Sequence, residues 1–488
     1  MYRAGMFTNA EYLEARFGIS ARVISVLVQV LYRTVIIGMI ATTNYLTLMI
    51  VCEWSSVMAW ITVVEVALLA TIYTMVGGLK SVAITDAMQS IIMFVAGAIL
   101  FSVLWNHVGG WTGIQEGIGS HDEKLADRIL NIGSEYVHRK GVEDLSPEQL
   151  ERKLLLGGQY DEQQLAVIYR TPAWLISLTL IIVGFAFATV NHTQSMRLFG
   201  ARSMWHLKMS VVPACLILLF VTFVNLMMGI MGKSIYPDIT LFPVEPALQK
   251  IDAIYAILIR DFTTAGLKGV VVAGLFAASF STYDSIGSAL SALVTRDIYG
   301  RLIVTSRDDT HYLTVARWLT PIIVFGSFIY IPALLSEGMI FIYLDVVGAF
   351  VVPLFGAYLM GIFTSVHRRS ATIGLLVGGS YGLLTLIGPW LGEHYGVMVL
   401  PAVLFDRFVT TPTSLLLTTG TMFITSLILG WESRRDLCHE EKSAWLRQSQ
   451  QQVVQAVDTD AASNSRIPLL CGLGILCLGL VLSFVVFW

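Results

Sequence analysis

Long apolar runs separated by short polar stretches make up most of the chain. Each of eleven runs has the length that a helix needs to cross roughly 30 Å of hydrocarbon. This pattern predicts an all-α membrane protein with about eleven transmembrane helices. The runs cover residues 23–51, 58–74, 82–105, 173–190, 209–230, 267–293, 312–335, 339–364, 370–391, 415–429 and 468–487.

Two longer polar segments interrupt this array. Residues 106–172 have mixed charge and few large apolar residues, and the SPEQ sequence within them is a capping-box pattern that predicts a helix over residues 146–156. Residues 432–466 have the small, polar composition of a linker. We expect the first segment to be a loop insertion outside the cell and the second to be a cytoplasmic linker before a last transmembrane helix at residues 467–488.

Composition narrows the class of protein further. The chain has 488 residues, of which 55% are hydrophobic and 13% are charged, against roughly 25% charged in soluble domains. Lys and Arg are concentrated in alternate loops, which predicts a cytoplasmic N-terminus, an extracytoplasmic C-terminus and a multi-pass protein of the plasma membrane. The cysteine spacing supports neither a disulfide framework nor a zinc site, and no nucleic-acid signature is present.

Hydroxyl side chains are concentrated in one apolar run, AASFSTYDSIGSALSALVTRDIY at residues 277–299. Ala278, Ser281, Thr282 and Ser285 are three or four residues apart, so in a helix they share one face. Polar groups in hydrocarbon are costly unless they are satisfied, so this stripe indicates a cation or a polar solute as its partner. The alternative is that small hydroxyl residues let the helices pack closely.

Three acidic residues within or beside apolar runs are further candidates. Asp284 flanks the hydroxyl stripe, where we expect it to accept hydrogen bonds rather than to bind an ion directly. Asp86 is either a partner for a helix dipole or a residue of ion coupling. Asp345, in IYLDVVGAFVVP, is a functional candidate because acids in membranes usually are; the alternative is an ion pair with Arg33 or another buried donor.

Several motifs resemble the sodium/solute symporter family, with its sodium/proline and sodium/glucose cotransporters. They are STYDS followed by SALVTRDIY, YTMVGGLKSVAITDAMQ at residues 73–89 with its glycine turn between two helices, and EYLEARFG at residues 11–18. The motif at residues 191–208 departs from the family pattern and retains chiefly Arg197 and Ala201. The sugar-binding groups of the family are mostly missing from residues 184–190, so the solute is not specified.

The resemblance implies a set of site residues. Sodium would be coordinated by the carbonyl of Ala278 and the hydroxyls of Ser281 and Thr282, and neutral oxygen ligands suit this hard cation. Asp284 and Ser285 would support the sodium site, and Asp86 would act in ion coupling. Asp345 and Tyr343 are the candidate residues for solute binding.

The resemblance also implies a LeuT-type fold, in which two inverted five-helix repeats enclose a site at the membrane midplane. Residues 1–22 are then a cytoplasmic segment, 23–105 the last three helices of the first repeat, 173–364 the second repeat and 365–431 two additional helices. The family has three helices before EYLEARFG, including a broken helix with other sodium ligands. We therefore expect the fold to be incomplete at its N-terminus and coupled transport by this chain to be impaired.

The function that follows is sodium-coupled symport of a small organic solute by alternating access, in a lipid bilayer, with sodium as the coupling ion and no cofactor. The alternative is a membrane sensor or regulatory protein on a symporter scaffold. No nucleophile and base pair, metal cluster or phosphate loop indicates an enzyme.

Overall fold

The computed structural model describes residues 6–120, 136–138, 170–236, 251–337, 339–395, 400–432 and 465–481. The helix predicted at residues 146–156 and most of the predicted linker at residues 432–466 lie outside these ranges. Two short strands in the polar insertion pair in antiparallel fashion, with Val137 opposite Thr171. Otherwise the described chain is helical, as the apolar runs predict.

The regular elements follow the apolar runs. They are α1 (Asn9–Phe17), α2 (Ile19–Val51), α3 (Ser56–Val108), α4 (Gly110–Gly119), β1 (Tyr136–His138), β2 (Arg170–Pro172), α5 (Ala173–Val190), α6 (His192–Phe199), α7 (Met204–Ile235), α8 (Ile254–Phe262), α9 (Ala265–Val294), a π-helical turn (Thr295–Ile303), α10 (Asp309–Gly326), α11 (Ile331–Glu337), α12 (Met339–Val346), a π-helical turn (Val347–Val351), α13 (Val352–Phe363), α14 (Ser370–Tyr395), α15 (Arg407–Leu429) and α16 (Ile467–Val481).

Nine stretches of the described helices are long and apolar enough to cross a membrane, and the bent pair α5 and α6 would make a tenth. The last predicted span is described over 15 residues as α16. The span Met339–Phe363, which contains α12 and α13, is the most enclosed, with 67% of its most apolar stretch buried. Only 11% of the corresponding stretch of α7 is buried, so α7 presents most of its apolar surface to lipid.

Helix α3 contains two of these spans, Ser56–Gly77 and Ile84–Val108, although its helical hydrogen bonding is continuous. In a straight helix Ala59 and Ala96 would be ~55 Å apart. Instead, Ala59 shares a hydrophobic cluster with Phe276 of α9, and a Cβ built on Gly274 of α9 would come within 2.5 Å of the Cβ of Ala96. The chain therefore reverses between the two spans, in agreement with the predicted glycine turn, and both spans pack on α9.

The predicted span at residues 173–190 forms α5, which is followed by a bend of 47° into α6. Asn191 is the residue at the bend. Its side-chain oxygen accepts a hydrogen bond of 3.1 Å from the backbone N–H of Thr193 and caps the start of α6. The same oxygen accepts a hydrogen bond from the guanidinium of Arg33. The break in this span is therefore held by α2.

A buried network of charges joins α1, the start of α2 and the π-helical turn after α9. Arg22 is 1% exposed and forms ion pairs with Glu14 and Asp297. Burying a charge is tolerated when its partners satisfy it, and here cations and anions alternate. The further pairs are Arg296 with Glu11 at 2.6 Å and Arg301 with Glu14 at 2.9 Å.

Glu14 shows the electrostatic consequence of this arrangement. Burial acts to raise the pKa of its carboxyl, but the charges and hydrogen bonds of Arg22 and Arg301 lower the pKa below its ordinary value. A carboxyl with a lower pKa in the folded protein stabilises the fold above its unfolded pKa, and this contribution is lost as the pH falls through the folded pKa. The attachment of α1 should accordingly weaken in acid.

Arg22→Gln should lower the stability of the protein by on the order of 3–5 kcal/mol, because Asp297 and Glu14 would stay buried without their main cation. The measurement is chemical unfolding of the purified protein in detergent. Arg307→Gln is the matched control, since Arg307 is exposed and its side chain has no ion pair within the described residues, and it should change stability by less than about 0.5 kcal/mol. Equal effects of the two substitutions would contradict the structural role of the network.

Candidate functional site

The candidate site is built on the hydroxyl stripe of α9. Ala278, Ser281 and Thr282 are partly buried, whereas Ser285 is 7% exposed. The hydroxyl of Thr282 donates a hydrogen bond of 2.8 Å to the carbonyl oxygen of Ala278. Two of the three predicted sodium ligands are thus in contact, because an i to i−4 hydrogen bond places the hydroxyl beside that carbonyl.

The carboxylate of Asp86, from the second span of α3, faces this stripe. One of its oxygens accepts a hydrogen bond from the hydroxyl of Ser281, and the other lies 3.1 Å from the hydroxyl of Ser285. Asp86 is only 8% exposed. Its partners among the described residues are side chains of α9 and α6 and not backbone N–H groups.

Arg197 of α6 completes the arrangement. Its guanidinium forms an ion pair with Asp86 and donates a second hydrogen bond to the hydroxyl of Ser285. The side chain of Arg197 is 45% exposed and that of Asp86 is 11% exposed. The arginine therefore approaches the carboxylate from the solvent-accessible side, while the hydroxyls hold it from the interior.

Asp284 lies next to this group and is fully buried. It accepts a hydrogen bond from the phenol of Tyr73 on the first span of α3. Its other carboxylate oxygen lies 3.0 Å from the hydroxyl of Ser285. The contacts agree with the expectation that Asp284 accepts hydrogen bonds, and they bring both spans of α3 to the same turn of α9.

Two carboxyl groups and one guanidinium meet around Ser285 in this cluster. Arg197 is paired with Asp86, and Asp284 has hydroxyl partners in Tyr73 and Ser285. The oxygens of this cluster are of the kind that hard cations prefer. Within the described residues no group of three or more His, Cys, Asp or Glu side chains could hold a metal ion.

The two candidate residues for solute binding lie on α12. Asp345 forms an ion pair of 3.4 Å with Arg407 at the start of α15. Its partner is therefore not Arg33, and the pair is only partly buried, since the side chains of Asp345 and Arg407 are 30% and 27% exposed. Tyr343 packs beside the central hydrophobic cluster. The structure thus separates the two residues into different environments.

The sequence patterns did not single out Tyr73 or the role of Arg197. A tyrosine in an apolar run carries no signal for its partner, and its hydrogen bond to Asp284 spans 211 residues of sequence. The sequence indicates of Arg197 only that it is retained from the family motif. The one signal for their roles was the presence of the two acids, Asp86 and Asp284, each of which needs a donor in the membrane.

Comparison with known proteins places this geometry in context. Residues 1–382 match the sequence model of the sodium:solute symporter family. The chain is similar to sodium/glucose cotransporter 4 of Danio rerio (26% identity over 399 residues, 79% of this chain and 57% of the relative). It is also similar to human sodium/myo-inositol cotransporter 2 (24% identity over 401 residues, 79% of this chain and 56% of the relative). The chain thus spans little more than half the length of these relatives.

Among solved structures, the chain resembles a Na⁺-coupled sialic acid symporter in a substrate-bound, outward-open state. The TM-score is 0.64 and the sequence identity 19%, over 88% of this chain and 78% of the symporter. This likeness confirms the LeuT-type, all-helical membrane fold that the sequence predicts.

Removing either partner of the pair between Asp86 and Arg197 should have unequal effects. Arg197→Gln leaves the nearly buried carboxylate of Asp86 without a cation, whereas Asp86→Asn leaves a guanidinium that can turn to water. We expect Arg197→Gln to lower the unfolding temperature in sodium-free buffer more than Asp86→Asn does. Thermal unfolding of both variants beside the parent protein measures this, and the reverse order would contradict the assigned environments.

Proposed function

The chain belongs to the sodium:solute symporter family, and from this premise we propose that it couples transport of a small organic solute to sodium by alternating access. The observation that carries the proposal is the meeting of the Asp86 carboxylate with the hydroxyls of Ser281 and Ser285 inside the helix bundle. The carboxylate and hydroxyl oxygens that meet there are hard ligands, which sodium prefers. Sodium is the partner that the hydroxyl stripe suits.

In the proposed site, sodium binds to the carbonyl of Ala278 and the hydroxyls of Ser281 and Thr282. Support for this comes from the existing contact between Thr282 and Ala278, which already orients both oxygens. Asp284 and Ser285 adjoin the site and stabilise positive charge there, and Asp86 attracts the ion through its carboxylate.

Coupling follows from the competition between cations for Asp86. A sodium ion that draws Asp86 towards the stripe weakens its ion pair with Arg197, which is carried by α6 beyond the bend at Asn191. Sodium binding on α9 thereby weakens the ion pair that attaches α6, the short half of the broken span, to α3. Broken helices of this kind are the elements that form solute and ion sites in LeuT-type transporters.

The sodium gradient provides enough free energy for concentrative transport. One sodium ion moving through about 100 mV gains roughly 2.3 kcal/mol, and a tenfold concentration gradient adds about 1.4 kcal/mol. Together they support accumulation of a neutral solute on the order of a few hundredfold.

The proposal includes the location and the solute class. The protein lies in the plasma membrane with its N-terminus in the cytoplasm and its C-terminus outside, because Lys and Arg favour the loops on one side. Its solute is a small polar organic molecule, since its relatives are named for glucose and myo-inositol and its structural neighbour for sialic acid. Sodium binding without any accumulation of solute would favour a sensor instead.

The double substitution Ser281→Ala and Thr282→Ala should raise the sodium concentration that gives half-maximal stabilisation by at least about tenfold, because two oxygen ligands are lost and each is worth on the order of 1 kcal/mol. The measurement is the unfolding temperature of the purified protein as sodium replaces choline at constant ionic strength. Sodium-driven uptake from a solute panel into proteoliposomes gives the second readout.

Ser288→Ala is the matched control for this double variant. Ser288 lies on the same helix, and its hydroxyl donates only to the backbone oxygen of Ser285, at 3.3 Å. This control should keep the sodium dependence of the parent protein. An unchanged sodium dependence in the double variant would exclude the assigned sodium site.

A further inference from the structure

We propose that α1 is the inner gate of the transport path, and that Asn9 is the positioning residue whose amide holds this gate closed against the broken span of α5 and α6. The inference rests on the proposed function and adds to it the element that opens the path towards the cytoplasm. It starts from a row of buried polar side chains on α2 that leads from the break to α1.

This polar row runs from the middle of α2 to its start. Arg33, Gln29, Ser25 and Arg22 are three or four residues apart, so they share one face of the helix, and each is at most 6% exposed. The helical rise places Arg33 about 16 Å from Arg22 along the axis. Polar residues inside a membrane bundle mark the paths of ions and polar substrates, and this row has the length of such a path.

The polar row contacts the break between α5 and α6. The side-chain oxygen of Gln29 accepts a hydrogen bond of 3.1 Å from the backbone N–H of His192, and the guanidinium of Arg33 donates to the side chain of Asn191. The amide of Gln29 in turn donates to the hydroxyl of Ser25 at 3.3 Å. Groups at the start of a helix have no partner within it, and here α2 provides the partners.

Helix α1 lies across the break and the start of α2. Asn9 is 1% exposed, and its side-chain amide donates to the carbonyl oxygens of Thr189 and Val190 at 3.2 and 3.3 Å. These carbonyls are at the end of α5, where helical carbonyls lack partners within their own helix. On its other side, the ring of Tyr12 stacks on that of Tyr358 of α13, with centroids 5.9 Å apart. Helix α1 therefore covers the space between α2, α5 and α13.

The two sides of α1 are attached by different kinds of contact. Glu11 and Glu14 form largely buried ion pairs with arginines of α2 and of the π-helical turn after α9. The contact of Asn9 with α5 consists of two neutral hydrogen bonds. Charge-assisted hydrogen bonds are roughly twice as strong as neutral ones. When this end of the bundle opens, α1 therefore stays with α2 and α9 and separates from α5.

Several buried polar atoms around α1 have no hydrogen-bond partner among the described residues. They are the side-chain oxygen of Asn9, Nδ1 of His192 and the hydroxyls of Tyr32 and Tyr358. Unsatisfied buried polar groups are costly and rare in native proteins. Water that enters as α1 leaves α5 would bond to these atoms, so their presence favours a space that opens over a closed packing surface.

The test measures access to the polar row beneath α1. Ser25→Cys introduces a thiol at a position that is 0% exposed, in the full chain with its five native cysteines replaced by serine. The protein is held in lipid nanodiscs, and the rate of its reaction with a charged methanethiosulfonate reagent is followed by mass spectrometry.

Asn9→Asp should raise the rate of this reaction at least about tenfold, by shifting the population towards the open state. The substitution keeps the shape of the side chain but replaces its N–H donors by an oxygen that faces the carbonyl oxygens of Thr189 and Val190. Asn9→Ala removes the same two hydrogen bonds without adding this repulsion, so it should raise the rate by less.

Asn44→Ala is the matched control, because Asn44 is a buried asparagine of α2 whose side-chain oxygen accepts a hydrogen bond of 2.8 Å from Ser279 of α9. It should leave the reaction rate of the Ser25→Cys thiol unchanged. A thiol introduced instead by Ser279→Cys, at a position 3% exposed, should stay unreactive in both Asn9 variants, which shows that the bundle has not loosened as a whole.

The inference is overturned by a reaction rate that Asn9→Asp leaves unchanged, by an equal rise in Asn44→Ala, or by an equal rise at Ser279→Cys. The rates are measured without sodium, and stabilisation of the same proteins by sodium is measured separately by thermal unfolding. A gate that fails this test beside an intact sodium effect leaves the proposed coupling standing. A rise in rate without any sodium effect supports the gate and contradicts the coupling.

Discussion

The cost of placing a carboxylate among apolar helices governs this structure. Asp86 is nearly buried, and it is made tolerable by hydroxyls of α9 on one side and by the guanidinium of Arg197 on the other. Three elements that are distant in sequence, α3, α6 and α9, are therefore tied to one group. The proposed coupling rests on this link, because a change in the charge at Asp86 acts on all three helices at once.

Two buried arginines of the bundle, Arg22 and Arg33, have different kinds of partner. Arg22 is fully compensated by acids from α1 and from the turn after α9, so its energy is lowest when these elements stay together. Among the described residues Arg33 has a neutral acceptor, Asn191, and two aromatic rings. The first arrangement joins α1 and α2 to the turn after α9, and the second joins α2 to the bend between α5 and α6.

Much of the architecture could be predicted from the chain. Apolar runs determine where helices cross the bilayer because backbone polar groups in hydrocarbon must bond within their own segment. The hydroxyl stripe at Ala278, Ser281, Thr282 and Ser285 is readable because a helix repeats every 3.6 residues. The helical repeat does not predict the partners of Asp86 and Asp345. Arg197 and Arg407 lie more than 60 residues beyond their acids, as the ion pairs show, and no local pattern specifies which donor meets which acid.

The sequence by itself determined the membrane class, the helical spans, the family motifs and the positions of the acids, because all of these follow from local periodicity and composition. The tertiary structure decided which charges are compensated. It paired Asp345 with Arg407, joined Tyr73 to Asp284 and left Arg33 without an acid among the described residues. The physical reason is that the energy of a charge in a low-dielectric interior depends on the distance to its counter-charge, and that distance is set by how the helices pack.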